Sequence, residues 1–281
     1  MLRWLRPRPG RPFLAGAPML VAHRGGAALA PENTLFAFRH AIDVWGADML
    51  EMDVRRTADG EVVVIHDLTV DRTTNGSGTV RDMTMDEIRS LDAGYGFVDD
   101  EGRHPFRGRG IVVPTFEEVL VSCASVWFTV EVKDPAAAGP LADVIVRHGA
   151  EARVLIAADH ERKRHGAMGY AGPWGASRRQ ILPFWLSHKL PGGGPYTPAA
   201  DILQVPEWWR GHRIVTPRLV AQAHRRNLPV QVWTVDDVDT MHRLLHWGVD
   251  GIQTDRPDLL AEVLTERVGR PAPSGLAPGA A

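Results

Sequence analysis

Short apolar runs alternate with helical patterns along most of this chain, and that alternation constrains the fold more than any other feature. Strands that alternate with helices form parallel sheets, because a parallel connection needs a long crossover. The predicted strands are Met19–Ala22, 48–54, Trp127–Val132, 153–157, a weak run at 180–183, 201–205, 229–235 and Gly251–Thr254. Eight runs predict an α/β fold, a (β/α)8 TIM-type barrel, in preference to an open doubly wound sheet.

Length and composition agree with a single barrel and exclude several classes of protein. The chain has 281 residues, of which 44% are hydrophobic and 23% charged, as in ordinary globular domains near the ~250 residues of a barrel. Its net charge of −2 argues against nucleic acid as a partner. The one cysteine, Cys123, excludes an internal disulfide and a zinc site built from cysteines. No run approaches the ~20 apolar residues of a transmembrane segment.

The two ends and one long insertion interrupt the barrel pattern. Residues 1–18 are rich in Arg and Pro and contain no apolar signal-peptide core, which predicts a flexible basic leader and a cytoplasmic protein with at most peripheral membrane contact. The barrel is expected over 19–267, and 268–281 is expected to be a flexible tail rich in Gly, Pro and Ala. Residues 68–110 form an insertion that is expected to cap one barrel end.

A predicted hairpin gathers three reactive side chains on the second strand. The dipeptide Asp59-Gly60 is a strong signal for a two-residue turn. With those residues as the turn, His66 lies directly opposite Asp53, and opposed residues share a face of the ribbon. Glu51 is two residues from Asp53 and projects from the same face. The turn geometry therefore predicts a cluster of two carboxylates and one imidazole.

Polar side chains recur at the carboxyl ends of the predicted strands, which is where barrel enzymes carry their functional groups. These residues are His23, Arg24, Glu51, Asp53, Glu131, Lys133, Trp233 and Asp255. Singly, each has an ordinary structural explanation, such as an ion pair for Glu-x-Lys, and Trp233 fits a barrel filler as well as a ligand contact. Together they favour a functional site. Three carboxylates suit Mg²⁺ or Ca²⁺, two imidazoles suit acid–base catalysis, and two cations suit a phosphate.

An ordered set of motifs then resembles one family. HRG, PENT, Glu-x-Asp, an Asp-Gly turn leading to HD, DRTTNGSG, Glu-x-Lys, VWTVDD and GVDGIQTDRPDLL look like the glycerophosphodiester phosphodiesterase family, from about residue 21 to 260 and most weakly over 158–198. The resemblance implies a barrel that hydrolyses glycerophosphodiesters to an alcohol and glycerol 3-phosphate with one divalent cation. It implies that Glu51, Asp53 and Glu131 are the metal ligands. It likewise implies that His23 and His66 are the catalytic pair and that Arg24 and Lys133 bind the phosphate.

Three other functions are compatible with the same residues. A lysophospholipase D-like hydrolase would use the same site on a more apolar substrate. A non-catalytic barrel could bind a phosphorylated metabolite, although two histidines are more than binding requires. A structural or interaction module would not need the three carboxylates at all.

Overall fold

The computed structural model describes residues 18–277 and has the alternating architecture that the sequence predicts. The strands are β1 Met19–Ala22, β2 Met49–Arg56, β3 Val62–Val64, β4 Trp127–Val132, β5 Val154–Ala157, β6 Leu203–Pro206, β7 Trp208–Trp209, β8 His212–Arg213, β9 Val230–Trp233 and β10 Gly251–Thr254. The α-helices are α1 Leu35–Asp43, α2 Met85–Arg89, α3 Phe116–Ser122, α4 Ala138–Arg147, α5 Arg178–Ser187, α6 Pro217–His224, α7 Val238–His246 and α8 Pro257–Val268. None of the helices within 18–277 is long and apolar enough to cross a membrane.

Seven parallel strands curl into the barrel, and a two-residue segment completes it. The strand order is β5-β4-β2-β1-β10-β9-β6. Trp174 bridges to Ile156 in β5, and Gly175 bridges to Ile202 beside β6, both in parallel orientation. The segment 174–175 therefore occupies the fifth of eight positions around the ring, and the predicted (β/α)8 barrel is confirmed.

The predicted fifth strand at 180–183 is wrong, because those residues lie within α5. Ser177 and Gln180 make a reciprocal capping box that fixes the first turn of this helix. Pro183 lies inside the helix, and the buried Phe184 faces the core. The short apolar run predicts a strand, but its residues belong to a helix. A run of four residues is too short for periodicity to distinguish a buried strand from part of a helix.

The barrel interior below the carboxyl end of the strands is polar. Gln204 donates hydrogen bonds to Thr129 Oγ1 at 3.1 Å and to Gln231 Oε1 at 3.0 Å. Gln231 and Thr129 are almost fully buried, so these hydrogen bonds satisfy groups that would otherwise lose their solvation without compensation. The largest apolar cluster lies between the strands and the surrounding helices, where Phe38, Phe116 and Phe128 are fully buried. A separate buried apolar cluster consists of the strand residues Met19, Val21, Met49 and Leu155 together with Ile202.

The β2–β3 hairpin is displaced by one residue from its predicted register. The observed pairs are Val54 with Val64 and Arg56 with Val62, so the loop has three residues, 58–60, and not two. Gly60 has φ +99°, as the last position of a three-residue hairpin loop requires. The prediction that His66 stands opposite Asp53 in the ladder is therefore wrong. Regular pairing ends at Val64, however, and the side chain of His66 still reaches the same cavity as Asp53.

The insertion after the hairpin has a small hydrophobic core of its own. Its buried residues are Val63, Ile65, Val70, Val80, Met85, Ile88, Ala93 and Val113. Asp59, at the tip of the hairpin, accepts hydrogen bonds from the backbone N–H of Met85 at 3.1 and 3.2 Å. The hairpin and the first turn of α2 are thereby held together.

The end of the described chain contacts the barrel near the start of β1. Both terminal nitrogens of Arg270 bond Asp48, at 2.7 and 2.6 Å, and Ser274 Oγ donates to the carbonyl of Asp43 at 2.8 Å. Residues 1–17 and 278–281, which include most of the predicted leader and the last four residues of the predicted tail, lie outside the described residues. The division into leader, barrel and tail stays a prediction.

Replacing Asp59 by Ala should lower the free energy of unfolding by about 0.5–1.5 kcal/mol, because the Met85 N–H loses a hydrogen-bond acceptor that holds the insertion to the hairpin. Urea denaturation monitored by circular dichroism measures this loss. Glu61→Ala is the matched control, since Glu61 is exposed at the same hairpin. Equal stability of the two variants would show that the Asp59 contact contributes nothing.

Candidate active site

A cavity of about 310 Å³ opens at the carboxyl ends of the barrel strands. The residues to which the sequence assigns a role in the site all line it: His23, Arg24, Glu51, Asp53, His66, Glu131, Lys133 and Trp233. Asp255, the other polar residue predicted at a strand end, is not part of the cavity wall and bonds His23 instead. They come from the ends of β1, β2, β4 and β9 and from the residues after β3. The barrel therefore brings together groups that are up to 210 positions apart in the sequence.

Three carboxylates form a compact acidic cluster in this cavity. Glu51, Asp53 and Glu131 each offer one oxygen, and these atoms lie within 4.8 Å of one another. Parallel pairing of β2 with β4 places Asp53 beside Glu131, and Glu51 points the same way because it is two residues from Asp53. Oxygens on opposite sides of a Ca²⁺ ion are about 4.6–5.2 Å apart, and those around Mg²⁺ about 4.2 Å. The donor set and its spacing fit a hard divalent cation.

Asp53 is the most deeply buried member of the cluster, and two cations compensate its charge. Lys133 Nζ lies 3.1 Å from Asp53 Oδ1, and Arg24 Nε lies 3.2 Å from Oδ2. Asn33 Nδ2 donates a further hydrogen bond to Oδ2 at 3.1 Å. Burial opposes ionisation, but Lys133 and Arg24 outweigh it and hold the pKa of Asp53 below its usual value.

Glu51 has the opposite electrostatic environment. Burial, followed by the charge of the neighbouring Asp53, raises the pKa of Glu51 to about 7. Its Oε2 accepts a hydrogen bond from the backbone N–H of Arg24 at 3.1 Å. The negative charge of Glu51 is therefore only partly compensated by the side chains around it, and a nearby positive charge would stabilise its ionised form.

A tight turn after β1 positions His23. Arg24 has φ +50°, and Gly25 and Gly26 follow with φ of +87° and +88°, which favours glycine at both positions. A Cβ atom at Gly25 would lie 2.7 Å from Cβ of Ala37, so the turn packs directly on α1. The HRGG segment thus requires glycines for the backbone to pass this close to the helix.

Carboxylates on both sides of the His23 ring raise its basicity. Nδ1 lies 2.7 Å from Asp255 Oδ1, and Nε2 lies 3.8 Å from Glu51 Oε2. Burial lowers the pKa of His23, but the Glu51 charge and the Asp255 hydrogen bond outweigh this effect and raise the pKa to about 9.

His66 is oriented by a neighbouring carboxylate in the same manner. Its Nδ1 lies 2.6 Å from Asp67 Oδ1, and Arg72 Nε donates to the other oxygen of Asp67 at 2.6 Å. The hydrogen bond from Arg72 is the main reason that the pKa of Asp67 falls to about 2. With Nδ1 engaged, Nε2 is the ring nitrogen left for a molecule in the cavity.

The supporting residues around the site were not assigned roles by sequence reasoning. Glu32 accepts hydrogen bonds from Arg24 at 3.0 Å and from Arg72 at 2.7 and 2.8 Å, which connects the insertion to the site. Asn33, with φ +58°, donates to Asp53 and accepts from its backbone N–H. Both residues belong to the polar PENT segment directly before α1, which could have indicated a supporting role. This segment entered the sequence-based prediction only as one motif of the family resemblance.

Trp233 lies at the end of β9 with 40% of its surface exposed and lines the cavity. Its side chain therefore does not fill the barrel interior, which was one of the two interpretations that its position allowed. Contact of the indole with a substrate stays a prediction.

Comparison with known proteins gives consistent matches across the barrel. Residues 23–154 and 191–259 match the model of the glycerophosphoryl diester phosphodiesterase family. A glycerophosphodiester phosphodiesterase of Caldanaerobacter subterraneus is 32% identical over 271 residues, covering 88% of this chain and 97% of its own. The crystal structure of a glycerophosphodiester phosphodiesterase from Agrobacterium tumefaciens is 31% identical, with a TM-score of 0.67, covering 87% of this chain and 99% of its own.

A more distant structure shares the fold. It is an Oleispira antarctica phosphodiesterase described in complex with the product sn-glycerol-3-phosphate, at 20% identity and a TM-score of 0.73, covering 90% of this chain and 98% of its own.

Replacing Asp255 by Asn should lower the pKa of His23, because the carboxylate that bonds Nδ1 loses its charge. The folded pKa of about 9 exceeds the unfolded value of about 6.5, so the protonated imidazole stabilises the fold fully below pH 6.5 and loses this contribution as the pH rises through 9. The stability difference between parent and variant should thus be largest below pH 6.5 and shrink above pH 9. NMR titration of His23 and urea denaturation at both ends of that range measure the two effects.

Asp250→Asn provides the control for this titration. Asp250 bonds His224 at 2.7 Å and raises the pKa of that residue. This control should lower the pKa of His224 and leave that of His23 unchanged. A His23 pKa that is the same in the parent and in Asp255→Asn would contradict the assigned electrostatics.

Proposed function

The chain belongs to the glycerophosphoryl diester phosphodiesterase family and is a phosphoric diester hydrolase, and from this premise we propose that it hydrolyses glycerophosphodiesters to an alcohol and glycerol 3-phosphate with one divalent cation, Mg²⁺ or Ca²⁺. The observation that carries the proposal is the convergence of three carboxylates, two imidazoles and two cations on one cavity. The product named for the Oleispira antarctica structure agrees with this reaction.

Glu51, Asp53 and Glu131 would hold the cation. When bound, the ion supplies positive charge that stabilises the phosphate oxygens as negative charge develops on them. Glu51 and Asp53 are buried, whereas Glu131 is partly exposed to the cavity. The identity of the ion depends on the number of ligands and their flexibility, and both Mg²⁺ and Ca²⁺ suit oxygen donors.

Arg24 and Lys133 would bind the non-bridging oxygens of the diester. Both side chains line the cavity and are mostly buried, where a charge-assisted hydrogen bond is stronger than in water. The buried Arg24 Nε makes no hydrogen bond of good geometry with a described residue, although it lies 3.2 Å from Asp53 Oδ2.

The two histidines would move the protons of the reaction. His23 would accept a proton on Nε2 from the attacking hydroxyl, which belongs either to water or to the glycerol of the substrate. His66 would donate a proton from Nε2 to the oxygen of the departing alkoxide. Asp255 and Asp67, which contact the Nδ1 atoms, would hold each ring in the required orientation.

The high pKa of His23 bears on this division of roles. With Glu51 ionised and unneutralised, His23 is protonated at neutral pH and cannot accept a proton. Positive charge at Glu51 would lower the pKa of His23 and favour the basic form. Compensation of the Glu51 charge would therefore favour His23 as the base.

Removing divalent cations with EDTA should abolish hydrolysis of glycerophosphocholine, and adding Mg²⁺ or Ca²⁺ should restore it. Calorimetric titration of the metal into the chelated protein should show one binding site, and Asp53→Asn or Glu131→Gln should weaken the binding by tenfold or more, because each loses one anionic ligand. Glu32→Gln is the control, since Glu32 is outside the cluster. Full activity after chelation would contradict the metal requirement.

His23→Ala and His66→Ala should each reduce turnover of glycerophosphocholine by about 10²–10⁴-fold, the usual contribution of one proton transfer. With a p-nitrophenyl diester, whose leaving group needs no protonation, His66→Ala should recover most of its activity and His23→Ala should not. Recovery by His23→Ala instead would reverse the two roles.

Assays of the parent chain with glycerophosphocholine and with lysophosphatidylcholine separate the proposed substrate from the lysophospholipase D-like alternative. A higher kcat/KM for glycerophosphocholine is expected, and a preference for the lysophospholipid would contradict the proposed substrate class. Near-parental rates in both histidine variants on every diester would contradict acid–base catalysis by this pair.

A further inference from the structure

An exposed surface of aromatic, aliphatic and basic side chains lies next to the cavity, on α5 and on the β7–β8 hairpin. We call it the rim surface. Its members are Arg179, Leu182, Trp185, Leu186, Lys189, Leu190, Trp208, Trp209, Arg210, His212 and Arg213. None of them lines the cavity, so the proposed reaction leaves them without a role.

The hairpin presents two tryptophans to solvent on a stiff turn. Trp208 is 50% exposed and Trp209 is 45% exposed. The turn residues Arg210 and Gly211 have φ of +48° and +78°, the positive values that a type I′ turn requires at both positions. The hairpin connects the carboxyl end of β6, where Pro206 pairs with the cavity residue Trp233, to the first turn of α6. It therefore stands at the cavity end of the barrel.

Helix α5 continues this surface toward the cavity. The ring of Trp185 lies 6.0 Å from that of His212 in the hairpin, and Lys189 Nζ lies 3.9 Å from the centre of the Trp185 ring. The same helix contributes Ile181 to the cavity wall, and its next residue, Leu182, is exposed. The rim surface and the cavity wall thus share one helix.

The charges of the rim surface have one sign. The acidic residues between 178 and 213 are Asp201, which is buried, and Glu207, whose carboxylate pairs with Arg243 at 3.0 Å and with the rim residue Arg213 at 3.6 Å. The cations, by contrast, are exposed, and Arg210 and Arg213 lie over the rings of Trp209 and Trp208 at 5.0 and 4.5 Å. A concentration of exposed positive charge stands out on a chain whose net charge is −2.

We propose that the rim surface docks the enzyme on a lipid bilayer that contains anionic lipids. Tryptophan prefers the boundary between headgroups and acyl chains, because its ring is apolar and its N–H is polar. Arginine and lysine beside it bind the phosphates and carboxylates of anionic headgroups, and exposed leucines add apolar contact. Docking through this surface would bring the cavity mouth close to the membrane. The inference goes beyond the proposed reaction and does not depend on it.

Sedimentation with lipid vesicles tests the proposal with the full-length chain. The buffer contains EDTA, so that binding is measured without turnover. We expect the protein to partition onto phosphatidylcholine vesicles containing phosphatidylserine at least about tenfold more strongly than onto phosphatidylcholine alone, because each basic residue near an anionic surface contributes about fivefold. Higher salt should reduce this preference, since it screens the charges.

Two double variants separate the aromatic from the basic contribution. Trp208→Ala with Trp209→Ala should weaken binding by about tenfold or more through the loss of apolar contact. Arg210→Gln with Arg213→Gln should weaken it by roughly 25-fold and reduce the salt dependence. Circular dichroism and thermal melting check that both variants remain folded.

Matched controls lie elsewhere on the barrel. Arg225→Gln with Arg267→Gln makes the same charge change at exposed residues near the carboxyl ends of α6 and α8, at the end of the barrel opposite the cavity. Tyr95→Ala removes a ring that is 42% exposed in the insertion, which follows β2 and so lies across the barrel from β6. Both controls should bind vesicles like the parent chain.

Three results would overturn the proposal. The parent chain could show no preference for phosphatidylserine vesicles. The hairpin variants could bind as well as the parent or no worse than the controls. In analytical ultracentrifugation without lipid, the parent could form a dimer that the Trp208→Ala, Trp209→Ala variant abolishes, which would assign the rim surface to a second copy of the chain.

Discussion

The buried carboxylate of Asp53 is the group on which the rest of the site depends. An ionised carboxylate at 1% exposure is stable only if its charge is compensated, and Lys133 and Arg24 provide that compensation from two other strand ends. Asn33 adds a hydrogen bond from the start of α1. The two carboxylate oxygens of Asp53 thus contact side chains from three other parts of the chain, and these parts meet around Asp53 at the barrel mouth.

The same network extends from the barrel to the insertion. Arg24 bonds Glu32, Glu32 bonds Arg72, and Arg72 bonds Asp67, which in turn contacts His66. Each imidazole has a carboxylate at its Nδ1 atom, Asp255 for His23 and Asp67 for His66. His23 follows β1 of the barrel, whereas His66 lies between β3 and the insertion. Burial and the neighbouring charge of Asp53 raise the pKa of Glu51, so this carboxyl group is less well compensated than that of Asp53.

The hairpin shows how a correct cluster can follow from a partly incorrect argument. The predicted register placed His66 across from Asp53 within the ladder, whereas the loop has three residues and the ladder ends at Val64. A one-residue shift would normally move a side chain to the other face. Here His66 lies beyond the last pair of the ladder, so strict alternation of side chains between the two faces no longer applies to it. The contact with Asp67 holds its ring in place instead.

The barrel class, seven of its eight strand positions and the cavity residues at the strand ends could be predicted from the sequence, because they follow from local periodicity and from the rule that strand ends share one mouth. His66 was placed in the same cavity through a hairpin register that is wrong by one residue. Only the tertiary structure shows the fifth barrel position at 174–175, the hairpin register and the supporting roles of Asp255, Glu32 and Arg72. It also decided which carboxyl group is compensated and which is not. These properties depend on distances between segments remote in the chain, and no local pattern contains such distances.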